Sequence, residues 1–278
     1  MTTTLPRAIT PNAITTGAIR ARAKQSVSLT ETARQSLTMA YRGVLKLRHN
    51  PEQLFDVTIM PIIFTVMFTY IFGGAISGNV SSYLPVIIPG ILVQTVVMSS
   101  IVTGTQLRED MDKGVFDRFR SLPIARISPL AGALLADVIR YLVASIITVV
   151  MGLIMGWRPN VLGVIASVVL VMVCSFAVSW IFALMGCIMS KASAVQGISM
   201  LVVFPLTFMS NAFVPVDTMP GWLQAFVNVN PVSHLVTAVR ELTATGHAGI
   251  HVVWALAGAA VITAVFAPLA VRAYMRNA

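Results

Sequence analysis

Charged residues are scarce in this chain: Asp, Glu, Lys and Arg make up only 10% of it, whereas about 25% is usual in soluble domains. Hydrophobic residues make up 56%, and the mean hydropathy is +0.84. So few charges cannot cover a surface that faces water on all sides. The composition therefore excludes an ordinary soluble domain and indicates an integral membrane protein.

Motifs for nucleotide or metal binding are also missing. The chain has no G-x-x-x-x-G-K-[ST] sequence and no Gly-Lys pair, so it cannot cradle nucleotide phosphates as a P-loop does. Of its four histidines, His247 and His251 could share a helical face, but they lack a third ligand. We expect no metal, cofactor or enzymatic activity in this chain, and any ATP and Mg must be bound by a partner.

Cysteine is rare, and so are early apolar runs. Cys174 and Cys187 lie thirteen residues apart in one predicted helix, about 20 Å along its axis, too far for a disulfide. No apolar run precedes Leu54, so we expect no cleavable signal peptide and a first membrane helix that directs insertion.

Six apolar runs follow, each near the length of about 20 residues that crosses a bilayer core. They predict an all-α membrane protein of six transmembrane helices, at residues 54–73, 83–104, 131–156, 161–189, 198–214 and 252–271.

Basic residues predict the orientation. Sixteen of the nineteen lie before the first run, in the central loop, after the fourth run or after the sixth, and the positive-inside rule places these segments in the cytoplasm. Both termini are then cytoplasmic and only Arg158 and Arg240 lie outside. Because the net charge of +9 comes from such loops, nucleic-acid binding is not expected.

The chain before the first run divides in two. Residues 1–27 predict a disordered cytoplasmic tail. Residues 28–50 have apolar positions at helical spacing opposite basic ones, which favours an amphipathic helix on the inner leaflet over an ordinary soluble helix. We expect residues 51–278 to form one six-span domain.

The central loop, residues 107–127 (LREDMDKGVFDRFRSLPIARI), contains nine charges of both signs. Mixed charge suits a protein partner better than an anionic lipid surface. Residues 115–121 predict a short helix with Phe116 and Phe119 on one face, Gly114 as a flexible entry and Pro123 as its end. The alternative is a solvated loop that only orients the flanking helices. Such a loop does not require two aromatic side chains, whereas a docking helix needs apolar side chains that enter a groove on its partner.

The stretch EDMDKGVFDRFRSLPI at 109–124 resembles the cytoplasmic loop of type-2 ABC transporter permeases, especially the daunorubicin and doxorubicin resistance permeases. A second stretch, 213–242, resembles the segment before their last helix. The resemblance implies a coupling helix that seats in a separate ATPase. Its expected contact residues are Glu109, Asp112, Gly114, Phe116, Asp117, Arg118, Phe119, Arg120 and Pro123.

Residues 215–249 are too polar to cross the membrane and too apolar for an ordinary loop. They predict two short re-entrant helices in the outer leaflet, broken at Asn230-Pro231. In the family that the chain resembles, such helices close the outer end of the pathway, and Trp222, Phe226 and Pro231 are the expected gate residues.

The spans contain small, weakly polar residues and methionines that could line a pathway for bulky molecules. The expected substrate contacts are Thr65, Thr69, Met98, Thr103, Phe208 and Asn211. For each residue alone, close helix packing is the better explanation. Asp137 and Arg140 lie near the cytoplasmic start of the third span, where they can pair on one helical face or snorkel toward water, and we favour snorkelling over a transport role.

The leading hypothesis is a permease subunit of an ATP-driven exporter at the cell membrane, working as a homodimer with two copies of a separate ATPase. Its substrate would be a lipophilic compound such as an anthracycline-like drug. Export of a lipid or polysaccharide by the same architecture is one alternative, and a membrane scaffold or enzyme without an ATPase partner is another.

Overall fold

The computed structural model describes residues 29–49, 51–115 and 127–277, and every regular element in these ranges is helical. The predicted tail, residues 1–27, lies outside them. The helices are α1 (Leu29–His49), α2 (Pro51–Ser77), α3 (Val80–Ser99), α4 (Ile101–Asp112), α5 (Ser128–Ile154), α6 (Val161–Ile188), α7 (Ala192–Phe208), α8 (Gly221–Val229), α9 (Pro231–Thr245) and α10 (Ile250–Asn277), with a 3-10 turn at Val216–Thr218 before α8.

Five helical segments in the described part of the chain are long and apolar enough to cross a membrane: α2, α3 with α4, α5, α6 and α10. They correspond to the predicted runs at 54–73, 83–104, 131–156, 161–189 and 252–271, although α5 ends at Ile154 and α6 at Ile188. The predicted span at 198–214 has the wrong bounds, because α7 begins at Ala192 and has only 17 residues. It ends at Phe208 because the Ser210 hydroxyl donates to the Thr207 carbonyl and accepts from the Ala212 amide, which turns the chain.

The second span extends further than predicted. The α4 helix reaches Asp112, eight residues beyond the expected end at 104. Two ion pairs at i, i+4 spacing, Arg108 with Asp112 and Glu109 with Lys113, stabilise this last part. The first charges of the central loop therefore belong to a helix.

The α1 helix packs along α5. A Cβ on Gly43 would lie 2.6 Å from that of Ala136, and one on Gly132 would lie 2.3 Å from the Cβ of Met39, so the two glycines allow close approach. Leu37 and Tyr41, elsewhere on α1, are exposed. The predicted amphipathic helix is therefore present as a helix, with one face packed on the protein and one apolar patch exposed.

The buried apolar residues form two clusters. The larger one surrounds α3, which is buried along most of its length. The smaller one lies at the end where α4 leads to the central loop, and includes Leu107, Leu130, Leu134, Cys187 and Tyr274. Both cysteines are buried, and they form no disulfide with each other, as expected.

Candidate transport and coupling site

The described part of the central loop ends one residue after Gly114. Arg108 fixes the end of α4: its Nε donates to Asp112 Oδ1 at 2.9 Å and its guanidinium also donates to the Met189 carbonyl at 3.0 Å, just after α6. Gly114 has a φ of +64°, a left-handed conformation that favours glycine, which explains this residue at the turn. The other expected coupling residues of the loop, Phe116, Asp117, Arg118, Phe119, Arg120 and Pro123, lie outside the described residues.

Asp137 and Arg140 do not snorkel toward water, so the favoured prediction is wrong, and the alternative of pairing on one helical face is confirmed. Asp137 is only 2% exposed and Arg140 only 3%, and the two side chains form an ion pair. Thr103 of α4 donates a hydrogen bond to the second carboxylate oxygen of Asp137. Because neighbouring helices cover this face of α5, pairing inside the protein replaces hydration. Next to the pair, Tyr141 and Ser179 share a hydrogen bond of 2.5 Å.

This polar layer separates the two apolar clusters along α5. Leu134 belongs to the smaller cluster and Tyr141 to the larger, with Asp137 and Arg140 between them in sequence. The charged pair was visible in the sequence. The sequence did not show that Thr103, on another helix, is a hydrogen-bond partner of this pair.

Six phenylalanines form an aromatic array between α2, α7 and the turn that follows α7. Neighbouring ring centroids lie 4.2–5.7 Å apart, a range typical of favourable ring pairs. The members are Phe64, Phe68, Phe72, Phe204, Phe208 and Phe213. Only Phe208 was an expected site residue, although the i, i+4 spacing of the first three is a signal that sequence reasoning could have used.

The expected pathway residues have different partners in the structure. The Phe208 ring lies 6.4 Å from the Phe68 ring and is tilted by 52° to it, and Thr69, the chain neighbour of Phe68, is buried with an unpartnered hydroxyl. Thr103, by contrast, belongs to the polar layer. Of the others, Thr65 donates to the Pro61 carbonyl, Met98 packs against the larger cluster, and Asn211 donates to Thr237 at 2.9 Å.

Arg240 of α9 is a site residue that sequence reasoning assigned only to the outer side. Its guanidinium donates to the carbonyl oxygens of Val86, Asn211 and Ala212 at 2.7–3.1 Å. Burial lowers the pKa of Arg240 to about 10, so it remains charged at neutral pH. Nearby, the Tyr83 hydroxyl donates to the Phe213 carbonyl at 2.6 Å. These bonds hold the turn after α7 between α3 and α9.

The segment before α10 contains two short helices that meet at Asn230-Pro231. The Asn230 side chain accepts from the Val232 amide at 3.0 Å, which caps α9, and donates to the Leu206 carbonyl at 2.7 Å. Trp222 is 67% exposed and Phe226 39%, whereas Val227 on the same helix is buried. The two aromatic residues therefore point away from the core of the subunit, and Pro231 is exposed as well.

Long apolar helices with exposed Leu, Ile, Val and Phe side chains surround a buried polar layer. In water such a surface would aggregate, but in lipid it is the expected outer face. This architecture defines a multi-pass membrane protein.

Comparison with known proteins gives the family. The family model described as ABC-2 type transporter matches residues 34–243, and the chain belongs to this family of transport permeases. The chain is 45% identical over 242 residues to the daunorubicin resistance ABC transporter permease protein DrrB1 of Streptomyces coeruleorubidus, covering 86% of this chain and 85% of the relative. It is 28% identical over 166 residues to the probable doxorubicin resistance ABC transporter permease protein DrrC of Mycobacterium tuberculosis, covering 56% and 58%. A putative transport permease, ycf38, of Porphyra purpurea is 28% identical over 160 residues, covering 55% and 53%.

Proposed function

We propose that this chain is the membrane subunit of an ATP-driven exporter that moves a lipophilic compound out of the cell. The supporting observation is its similarity, over most of both chains, to a permease named for daunorubicin resistance. ATP and Mg are bound by a separate ATPase, and two copies of each subunit assemble. The expected coupling residues at 109–123 contact the ATPase, and α4 leads directly into them.

The proposed topology has six spans, with α7 as the fifth, and both termini in the cytoplasm. A helix of 17 residues is about 26 Å long, close to a hydrocarbon core of about 30 Å. The α1 helix lies on the inner leaflet with Leu37 and Tyr41 toward lipid, and α8 and α9 re-enter the outer leaflet. Reporter fusions at Met1 and Ala278 test the position of the termini.

The proposed pathway passes the aromatic array at Phe208, and Thr65, Thr69, Met98 and Asn211 are its other proposed contacts. An array of phenylalanines offers apolar ring faces that a lipophilic substrate can contact. Thr103 is assigned to coupling instead, because it is bonded to Asp137. Trp222, Phe226 and Pro231 lie at the outer gate.

Reconstitution with a partner ATPase tests the function. The complex in proteoliposomes should hydrolyse ATP and move a lipophilic dye outward, whereas the permease alone should do neither. If the complex instead moved lipid or polysaccharide selectively, the proposed lipophilic substrate class would be wrong.

Substitutions in the central loop test the docking segment. Phe116→Ala with Arg118→Ala should abolish transport while membrane insertion is kept, because these side chains contact the partner rather than lipid. Arg272→Ala with Arg276→Ala, which removes two basic residues at the end of α10, is the matched control and should transport normally. Full transport by the first double variant would contradict docking at this segment.

A further inference from the structure

The α3 and α4 helices form one apolar span that is divided at Ser100, a residue that belongs to neither helix. Around this residue the backbone bonds shorten to i, i+3 spacing, from the Ser100 amide to Val97 and from the Thr103 amide to Ser100, at 3.1 and 3.3 Å. The Ser100 hydroxyl donates to the same Val97 carbonyl. Tight 3-10 bonds and hydroxyl groups bound to backbone carbonyls mark bends in long helices. The span can therefore turn at this residue without losing its hydrogen bonds on either side.

At Gly104, close after this turn, α4 crosses α6 at backbone contact. A Cβ built on Gly104 would lie 2.3 Å from the Phe182 carbonyl oxygen, and one on Gly186 would lie 2.4 Å from the Gly104 carbonyl oxygen. Only glycine fits at both positions. The two helix backbones thus meet directly at this crossing, with no side chain between them.

Two further contacts connect α4 to its neighbours on either side of this crossing. Before it, Thr103 donates to Asp137, which is itself paired with Arg140. After it, Leu107 is buried in the smaller apolar cluster and Arg108 donates to the Met189 carbonyl. The end of α4 then continues into the charged central loop.

We propose that α4 is the lever that transmits ATPase movement to the spans: it turns at Ser100, pivots on α6 at Gly104 and Gly186, and is held in its resting position by Thr103 and Asp137. The inference rests on the proposed function, because it needs an ATPase docked on the central loop. In this scheme Thr103 and Asp137 are positioning residues. Their bond breaks when the docked loop moves, and a bond between a hydroxyl and a buried charge is strong enough to set the resting state.

The first test compares Thr103→Val with Thr103→Ser in the reconstituted complex. The valine variant keeps the volume and loses the bond, so compounds moved per ATP hydrolysed should fall about tenfold while ATP hydrolysis continues. The serine variant keeps the hydroxyl and should keep coupling. Thr105→Val is the matched control, since its hydroxyl only donates to Val102 within the same helix. Unchanged coupling in Thr103→Val, or equal losses in all three variants, would overturn the lever.

The second test locks the lever. In a background with Cys174→Ala and Cys187→Ala, Thr103→Cys with Asp137→Cys places two thiols where hydroxyl and carboxylate now meet. Oxidation should stop transport, and reduction should restore only the low coupling expected of a variant without the Thr103–Asp137 bond, with the ATPase bound throughout. Full transport by the cross-linked complex would overturn the proposal. A wild-type complex that never couples ATP hydrolysis to export would instead contradict the proposed function, so the two failures are distinguishable.

Discussion

Arg240 donates two hydrogen bonds to the carbonyl oxygen of Val86, a residue 154 positions earlier in the chain, at 3.1 and 2.9 Å. The same guanidinium also reaches the carbonyls of Asn211 and Ala212. A Cβ on Gly90 would lie only 2.0 Å from the Ala212 carbonyl oxygen, so α3 and the turn after α7 are in backbone contact here. A single half-buried cation thus fixes the segment before the last helix on the most buried helix of the described chain.

Arg240→Met should lower the melting temperature of the purified protein in detergent. The change removes a charged donor from three carbonyl groups, and each bond to a charged group contributes roughly 1.5–3 kcal/mol. Arg158→Met is the matched control, because Arg158 makes only bonds of 3.5 Å to Leu153 and Trp157. Equal melting temperatures for the two variants would show that the bonds of Arg240 do not stabilise the fold.

Gly163→Ala should be strongly destabilising. Its Cβ would lie 1.8 Å from the Leu242 carbonyl oxygen, so α6 and α9 would have to separate, at a cost of about 3 kcal/mol. Gly258→Ala is the control, since nothing lies within 4 Å of its Cβ and alanine favours a helix by about 1 kcal/mol. Thermal unfolding of both variants checks this, and a Gly163→Ala protein as stable as wild type would contradict the close packing.

Ala225→Cys should react with a membrane-impermeant thiol reagent added from outside the cell. Ala225 is exposed on α8, which we place at the outer surface. Val227→Cys, buried on the same helix, should react slowly, and the background lacks Cys174 and Cys187. Labelling of Ala225→Cys only from the cytoplasmic side would mean that the segment is misplaced.

Trp222→Ser with Phe226→Ser should disturb transport without affecting ATPase binding. If these exposed aromatic residues anchor α8 in the outer leaflet, each contributes about 1.5–3 kcal/mol of apolar burial. The outer gate should then loosen, and ATP hydrolysis should lose its response to substrate. Trp254→Ser, another exposed tryptophan near the start of α10, is the control. Unchanged transport by the double variant would remove the gate role from this segment.

Long apolar helices were predictable because membrane crossing requires about 20 apolar residues, a constraint that acts on each segment separately. For the same reason α7 was placed wrongly: apolar residues continue to Val214, but a hydroxyl bond at Ser210 ends the helix earlier. The family was also predictable, since the stretch at 109–124 is a local motif.

The sequence by itself determined that this chain is a helical membrane protein of the ABC-2 type transporter family. Composition is independent of the three-dimensional structure, and the motif consists of residues that are neighbours along the chain. Only the tertiary structure decided where its polar side chains lie. Asp137 was expected to reach water and is bonded to Thr103 of another helix, and Arg240 was expected only on the outer side and is bonded to Val86. The physical reason is that a charge in a span needs either water or a partner, and a partner from a distant helix is known only when the helices are packed.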